Sequence, residues 1–519
     1  MSRRYQAKLV AQGLLVGLFG GGVVTLYRMA LSLAERGLRS ITTQAAGNLM
    51  LMFAWFAALA VILMAVAALM EWEPDTRGSG IPQVDAEVMG QLDMSWWRVM
   101  LAKFAEGTLC AFAGLSLGRE GPSVQLGGVA GKAVAKGFKC ERGDERLLVT
   151  CGAAAGMSAA FHAPLSGVLF AIEEIHKEFS TALIVSVMAS SCAADFLVSQ
   201  ILGVDPVLRL YFFTDLPHID YGLAAVLGVC CAFAGVLHNA GMFKCQELYD
   251  RITKHLPHAR LAIPFALAGV MAFTFPQLMC GGDALIEYLG EPQHVAGALV
   301  AALLLGKYLY TTICFGSGAP GGTLFPLVIM GALLGSAFGQ AAHVALGTPL
   351  SYVPNFVSLG VAGLFASVVR APVTGVVLVF ELTGSLDALL SVTFVSMISY
   401  VLSNILRVDP FYEHLLGRLL GTGDEDPRAA ARPGHKVLKT FKVGAASSIE
   451  GMRVCEVPWP DHVKVVTIER TGQELIPEGD TQILALDSLL IIMNEDVADD
   501  VTLKLTKMTR AVGQAGRTP

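Results

Sequence analysis

The sequence predicts an all-α polytopic membrane protein that carries a small α/β lobe at its C-terminal end. Three observations lead there. Of 519 residues, 54% are hydrophobic and only 15% charged, against about 25% charged in soluble domains, and the mean hydropathy is +0.58. Leu49 to Met70 contains no charged residue, and about 20 apolar residues suffice to cross the hydrocarbon core as a helix. After about Leu420 the composition turns polar, and period-two apolar runs replace the long ones.

Composition also excludes classes. Aromatic residues make up 8% of the chain, which does not fit a transmembrane β-barrel with its aromatic girdles. A net charge of −6 gives no electrostatic footing for nucleic acid. Ten cysteines occur without CxxC or Cys/His zinc spacing, so they read as small membrane-core residues and no metal or cofactor is expected.

Taken in order, the spans expected are Leu9–Tyr27, Leu49–Met70, Leu183–Leu202, Gly222–Phe243, Leu261–Leu278, Val295–Leu305, Ser358–Val369 and Ala388–Ile405. Gly121–Ala130, Ala163–Ile172, Gly321–Phe338 and Ala371–Phe380 are too short or too broken by Gly and Pro to cross straight. No signal peptide is expected, because no small-residue cleavage site precedes the next polar stretch. Arg3, Arg4 and Lys8 before the first span, and Arg407, Arg418, Arg428 and Arg432 after the last, favour cytoplasmic placement of both ends.

Residues 1–420 thus form the membrane domain, and Gly421–His435 (GTGDEDPRAAARPGH) is a charged linker. The α/β lobe follows over 436–511, with strands expected at Val463–Arg470, Leu475–Ile476 and Ser488–Met493, and 512–519 is a tail.

The membrane domain repeats itself, with halves at about 10–205 and 220–420. His162-Ala-Pro-Leu-Ser-Gly-Val-Leu-Phe-Ala-Ile-Glu173 matches Arg370-Ala-Pro-Val-Thr-Gly-Val-Val-Leu-Val-Phe-Glu381 without a gap. Upstream, Gly118-Arg-Glu-Gly-Pro-Ser123 is set against Gly318-Ala-Pro-Gly-Gly-Thr323, with Gly131 on Gly331. A separation of about 200 residues in both blocks marks a duplicated unit, a transporter trait that places the substrate site near the midplane. Similarity alone leaves open whether the repeat is inverted or parallel.

Three Gly/Pro turns abut short apolar stretches: Gly78-Ser-Gly-Ile-Pro82, Gly118-Arg-Glu-Gly-Pro122 and Gly316-Ser-Gly-Ala-Pro-Gly-Gly-Thr-Leu-Phe-Pro326. Pro suits the first turn of a helix and Gly lets a ligand approach the backbone. Each turn therefore reads as a helix N-terminus, with free N–H groups and about half a positive charge. Several such ends converging on one point bind an anion without a full cation. A purely packing role competes with this reading for any single turn, less so for three together. An acid within such a turn, Glu120, is costly at membrane depth and hence a functional candidate. Ionised, its carboxylate competes with a substrate anion; protonated, it leaves.

These motifs resemble the CLC family of chloride channels and chloride/proton antiporters. GSGIP, GREGP, GSGAPGG-x-x-x-P, the two Ala-Pro-x-[Ser/Thr]-Gly segments and the Trp96–Phe104 stretch carry the resemblance over roughly residues 10–420. It implies the CLC fold of two inverted repeats with broken and tilted helices, and a homodimer in a lipid bilayer, the bacterial inner membrane. It implies exchange of chloride for protons, with a passive channel as the alternative. Ser79 and Tyr412 match the family's neutral anion ligands, and Thr323 and Leu324 the positions whose backbone N–H groups complete the site. Many members have Ile-Phe at that pair. Glu120 matches the outer gate and proton-transfer glutamate. Glu174 matches the inner proton-transfer glutamate of antiporters. Unlike Glu173, whose repeat mate is Glu381, Glu174 pairs with Leu382, so it is an addition to one half. Lys103 and Glu173 are possible neighbours of the proton entrance. Where the family carries an acid after GSGIP this chain has Gln83, with Asp85 nearby.

The terminal lobe resembles the C-terminal lobe of potassium-conductance regulator (RCK) modules through Leu475–Ile483 and Asp487–Ile492. That resemblance implies dimerisation and a small-molecule or nucleotide ligand, or else an assembly role without one. Potassium uptake does not follow, since no TVGYG-like filter is present. HExxH does not occur, so no enzyme is expected.

Overall fold

The computed structural model describes residues 3–177, 180–204, 208, 210–212, 216–217, 220–252, 254, 259–289, 297–421, 436–445, 447–461, 463–470, 473–494 and 498–509. The chain divides into two units, Met1–Leu420 and Gly421–Pro519. Apart from Gly421, the linker expected at 421–435 lies outside the described residues, as do 510–519.

The first unit is helical. Its helices are α1 (Arg3–Ala45), α2 (Leu49–Trp72), α3 (Ile81–Met89), α4 (Trp96–Ala113), α5 (Glu120–Gly137), α6 (Arg142–Phe161), α7 (Pro164–Phe170) and α8 (Thr181–Leu202) in the first half. The second half has α9 (Tyr221–Ile252), α10 (Ala259–Thr274), α11 (Asp283–Leu289), α12 (Gly297–Gly316), α13 (Leu324–Leu346), α14 (Val353–Val369), α15 (Pro372–Thr383), α16 (Ala388–Ile405) and α17 (Phe411–Leu419). Among the described residues, eight helices are long and apolar enough to cross a membrane, so this is an integral, multi-pass membrane protein. Seven of the eight expected spans fall on these helices, Val295–Leu305 over its described residues; Leu261–Leu278 falls on α10, which stops at Thr274 and is shorter than the eight. Gly321–Phe338, expected to be too short or too broken to cross straight, instead yields a 23-residue helix starting at Leu324: Gly321 and Gly322 precede it, Pro326 sits in its first turn, and Gly331 and Gly335 lie within it against the backbone of α14.

Hydropathy missed α4 and α6 and caught only Gly121–Ala130 of α5. They bury Lys103, Glu106 and Lys132, and they are rich in Gly and Ala. Their packing depends on those small residues. A Cβ on Gly127 would lie 2.1 Å from the Gly152 carbonyl oxygen, and one on Gly156 would lie 2.1 Å from that of Ser123. Backbones this close exclude any larger side chain.

The repeat is inverted. The Glu381 carboxylate at the end of α15 accepts from Leu165 N (2.8 Å), Ser166 N (2.8 Å) and Ser166 Oγ (2.5 Å) at the start of α7. Glu173, just beyond α7, accepts in turn from Val373 N (3.2 Å), Thr374 N (2.8 Å) and Thr374 Oγ1 (2.7 Å) at the start of α15. Each repeat mate caps the other's N-terminus, which requires the two helices to run antiparallel.

The upstream register differs from the expected one by four residues. Gly118 pairs antiparallel with Gly322, not Gly318, donating at 2.6 Å and accepting at 2.8 Å. At that spacing Lys103 falls on Lys307, Thr108 on Thr312, Cys110 on Cys314 and Gly114 on Gly318. Gly127 and Gly331 agree, each meeting the backbone of a glycine on the next helix, Gly152 and Gly360. The Gly/Pro-rich turn offered several alignments, and the one expected was a helical turn off.

The second unit is a four-stranded antiparallel sheet, order β1-β4-β2-β3, with a helix. The strands are β1 (Lys436–Lys442), β2 (Val463–Arg470), β3 (Gln473–Leu475) and β4 (Ser488–Asn494), and α18 spans Ala498–Thr509. Leu489, Ile491 and Met493 alternate inward on β4 and pack with Phe441, Ile468, Val501 and Leu505. Asp487, 1% exposed, takes both Arg470 Nε (2.9 Å) and Nη2 (2.8 Å) and also the Leu484 N–H (2.8 Å). Burial pushes its carboxyl up, but these donors outweigh that and hold it below the usual carboxylate range. β1 escaped the sequence reading because LysValLeuLysThrPheLys mixes charge into its period-two pattern.

Candidate functional site

The three Gly/Pro turns meet. Gly78 N donates to Gly318 O at 3.1 Å, and Gly321 N donates to Gly78 O at 3.0 Å. With the Gly118–Gly322 pair, these bonds bind the starts of α3, α5 and α13 to one another. Gly80 precedes α3 in the left-handed region (φ 97°), and a Cβ there would fall 2.5 Å from Gln125 Oε1. Only glycine meets both constraints. Gly121, on the first turn of α5, passes so near α3 that its Cβ would lie 2.4 Å from Ser79 Oγ and 3.2 Å from Gly322 Cα.

Ser79 is therefore at the junction. It is 3% exposed, and its hydroxyl has no hydrogen-bond partner within the protein. A buried, unpaired donor is costly unless a ligand uses it. A cavity of about 580 Å³ leads to it, lined by Arg77, Ser79, Gln83, Arg260, Ser317 and Arg418 among others. Asp250 holds Arg260 (2.7 Å) and Arg418 (2.5 Å) along this cavity.

Glu120 is the first residue of α5 and is fully buried. Its Oε2 accepts from the Phe325 backbone N–H at 3.1 Å, on the first turn of α13. Its Oε1 stands 3.9 Å from Arg119 Nε and has no hydrogen bond. A carboxylate thus occupies the anion-favouring end of α13. Thr323 and Leu324, the expected donor positions, are buried immediately before this contact, and Phe325 adds a donor that the sequence reading did not name. The sequence offers Phe325 only as the next of several N–H groups on the same free helix end.

Tyr412, on the first turn of α17, is 1% exposed; its hydroxyl faces the Thr323 side chain. Phe170 and Phe411 pack edge-on against its ring at 6.4 and 5.3 Å. Ser79, Glu120, Tyr412, Thr323 and Leu324 thus gather around the meeting point of α3, α5, α13 and α17.

Glu174 lies apart from that group, in the π-turn Ala171–His176 that continues α7. It is 4% exposed, its Oε1 has no hydrogen bond, and Lys177, Asp85 and Glu413 are its charged neighbours. Asp85, on α3, is 3% exposed with its own Oδ1 unpaired. Glu173 is absorbed in the cap of α15. Lys103 is fully buried and donates to Thr76 O and Gly78 O, both at 2.7 Å, fixing the turn that carries Ser79.

Comparison with known proteins agrees with this arrangement. The family model described as voltage gated chloride channel matches residues 60–404. The H(+)/Cl(-) exchange transporter ClcA of Vibrio cholerae serotype O1 is 33% identical over 419 residues, covering 78% of this chain and 88% of that protein. ClcA of Salmonella gallinarum is 32% identical over 386 residues, covering 72% and 81%. A crystal structure of a slow cyanobacterial Cl-/H+ antiporter superposes with a TM-score of 0.75 at 26% identity, covering 80% of this chain and 99% of that one. A CLC-type fluoride/proton antiporter shares the fold, with a TM-score of 0.65 at 21% identity over 78% of this chain and 97% of its own. With its motifs, its inverted repeat and two thirds of its length inside the family model, the chain belongs to the voltage-gated chloride channel family.

Proposed function

We propose that the protein exchanges chloride for protons across a bacterial inner membrane. The observation that carries this reading is the Glu120 carboxylate seated on the Phe325 N–H. A titratable anion filling an anion site couples two ions by competition: chloride enters when the carboxylate leaves, and the carboxylate leaves when protonated. In this reading Ser79 and Tyr412 donate hydroxyl hydrogen bonds to chloride, and the N–H groups of Thr323 and Leu324 complete its shell. Phe325 holds the gate when chloride is absent. Glu174 passes protons on the other side, with Asp85 beside it. Glu173 and Lys103 position helices rather than carry protons. The exchange activity of the ClcA relatives supports exchange over a passive channel, and so does Glu174, an acid buried without a mate in the other repeat.

The protein is a transporter rather than an enzyme, and its ligands are chloride and protons. Two copies pair in the bilayer, with both termini cytoplasmic. The membrane domain spans 1–420 and an RCK-like domain 436–511, which takes a small-molecule or nucleotide ligand or serves assembly. The test is proton movement in proteoliposomes under a chloride gradient, with a protonophore control. Uphill proton movement that falls at least tenfold in Glu174→Gln, while chloride flux falls less, is the expected result. Chloride flux without coupled protons refutes exchange.

A further inference from the structure

Where repeat mates are identical, both copies do the same job. Lys307 repeats what Lys103 does: fully buried on α12, it donates to Leu278 O (3.1 Å) and Cys280 O (2.8 Å), in the turn before α11. Each lysine fixes a turn that opens a short helix. In the first repeat that turn presents Ser79. The turns themselves match two residues short of the spacing that relates Lys103 to Lys307: Gly78 falls on Cys280 and Gly80 on Gly282, all four with positive φ, so Asp283, the first residue of α11, falls on Ile81, the first of α3. Because the repeats are inverted, the Asp283 turn faces the side of the membrane opposite to the Ser79 turn. The turn that carries a neutral hydroxyl on one side therefore leads into an acid on the other.

The surroundings of Asp283 suit a proton rather than an anion. Arg119 Nη2 stands 3.8 Å from Asp283 Oδ1, while Nε of the same guanidinium stands 3.9 Å from Glu120 Oε1. One cation is thus shared between the buried gate and a carboxylate whose side chain is 34% exposed. Glu120 Oε1 and both these guanidinium nitrogens are buried without a hydrogen bond. A small cavity of about 20 Å³ lies here, lined by Glu35, Gly118, Arg119, Asp283 and Phe325 among others. That is room for one water with polar partners. The gate borders it, since a Cβ on Gly118 would fall 2.4 Å from Glu120 Oε2. The other charged groups nearby are Arg28, Glu35 and Arg39 on α1 and Lys307 on α12.

We propose that Asp283 is the proton port through which Glu120 exchanges its proton with the solution on the side opposite Ser79. The O–H bond of protonated Glu120 breaks, the proton passes to the intervening water, and that water gives one of its own protons to the Asp283 carboxylate. Asp283 then releases it to bulk. Arg119 pairs with whichever carboxylate is ionised, so the charge of the three groups is unchanged by the transfer. Return of a proton follows the same route backwards.

This port rests on the exchange reading, so its test contains both. Proteoliposomes carrying wild type, Asp283→Asn or Asp283→Glu are given a chloride gradient, and proton and chloride fluxes are followed together from pH 5 to 8. The port predicts that Asp283→Asn slows coupled proton flux about tenfold or more, flattens its pH profile and is rescued by Asp283→Glu. Proton flux and pH profile equal to wild type in Asp283→Asn overturn the port while exchange stands. Wild-type chloride flux without protons overturns exchange, and the port with it. Chloride flux is also read with Glu120→Gln as the parent, where no proton is carried. If adding Asp283→Asn lowers that flux as much as it lowered proton flux, Asp283 holds the fold, and the port is again overturned.

Discussion

Replacing Glu120 with Gln tests whether its carboxylate and chloride compete for one place. The gate is held by one charge-assisted hydrogen bond from Phe325 N at 3.1 Å, worth about 2 kcal/mol, and by the N-terminal end of α13, worth about 0.5 kcal/mol. A glutamine carbonyl accepts the same N–H as a neutral bond worth about 1 kcal/mol. The substitution therefore weakens the occupant by about 1.5 kcal/mol, and a weaker competitor raises apparent chloride affinity by that amount, about tenfold. The assay is calorimetric titration of chloride into chloride-free protein in detergent. Acidification should do to wild type what the substitution does at neutral pH, since the protonated acid carries no charge to be held. Wild-type affinity therefore rises as pH falls, and the Glu120→Gln affinity stays flat. Equal affinities at neutral pH, with parallel pH dependences, would show that the carboxylate does not sit where chloride binds.

Three further outcomes are expected. Gly121→Ala drives a methyl group against Ser79 Oγ and, at 2.6 Å, the Ser79 carbonyl oxygen, so chloride binding should weaken roughly tenfold to a hundredfold in a protein that still purifies intact; unchanged binding would remove Ser79 from the site. Glu381→Ala leaves three donors at the start of α7 without their carboxylate, and unfolding of the membrane unit should show a loss of about 3 kcal/mol, matched by Glu173→Ala because the two caps are equivalent. In the terminal lobe, the lowered Asp487 carboxyl contributes stability that is complete above the unfolded carboxylate value of about 3.9 and is lost as pH falls through the folded value. Hydrogen exchange in β4 should thus accelerate below about pH 4, and Asp487→Asn should show that faster exchange already at pH 7.

Much of the site was legible because anion sites built from helix ends leave Gly and Pro in the chain. Gly80 cannot be another residue beside Gln125, and Gly121 cannot be one beside Ser79. The turns therefore marked the site before any helix was placed. Hydropathy missed α6 and part of α5 for a related reason: helices that touch through Gly127 and Gly152 are made of small residues, and they bury Lys132 against Glu87 (2.5 Å) and Asp93. Their signal is a small-residue pattern, not an apolar run. Which N–H group receives the gate was beyond the sequence, because Thr323, Leu324 and Phe325 all offer donors at one helix end, and a one-residue choice among them depends on how α5 lies against α13.

The corrected repeat register sorts the ionisable residues by a physical criterion. Duplication copies what both halves need to fold. Glu173 and Glu381 cap each other's helices, Ser166 and Thr374 sit in equivalent caps, and Lys103 and Lys307 each hold a turn by its carbonyl oxygens. All are matched, and all are spent on structure. The unmatched positions are different: Glu120 against Leu324, Glu174 against Leu382, Ser79 against Gly281. Glu120, Glu174 and Ser79 each keep a buried polar atom unpaired, at a cost that folding alone does not repay. An inverted repeat with two identical halves would present the same groups to both sides of the membrane and could not treat chloride and protons differently along the path. The departures from symmetry supply that difference, and Lys103, although it is next to the site, falls on the symmetric side of the division.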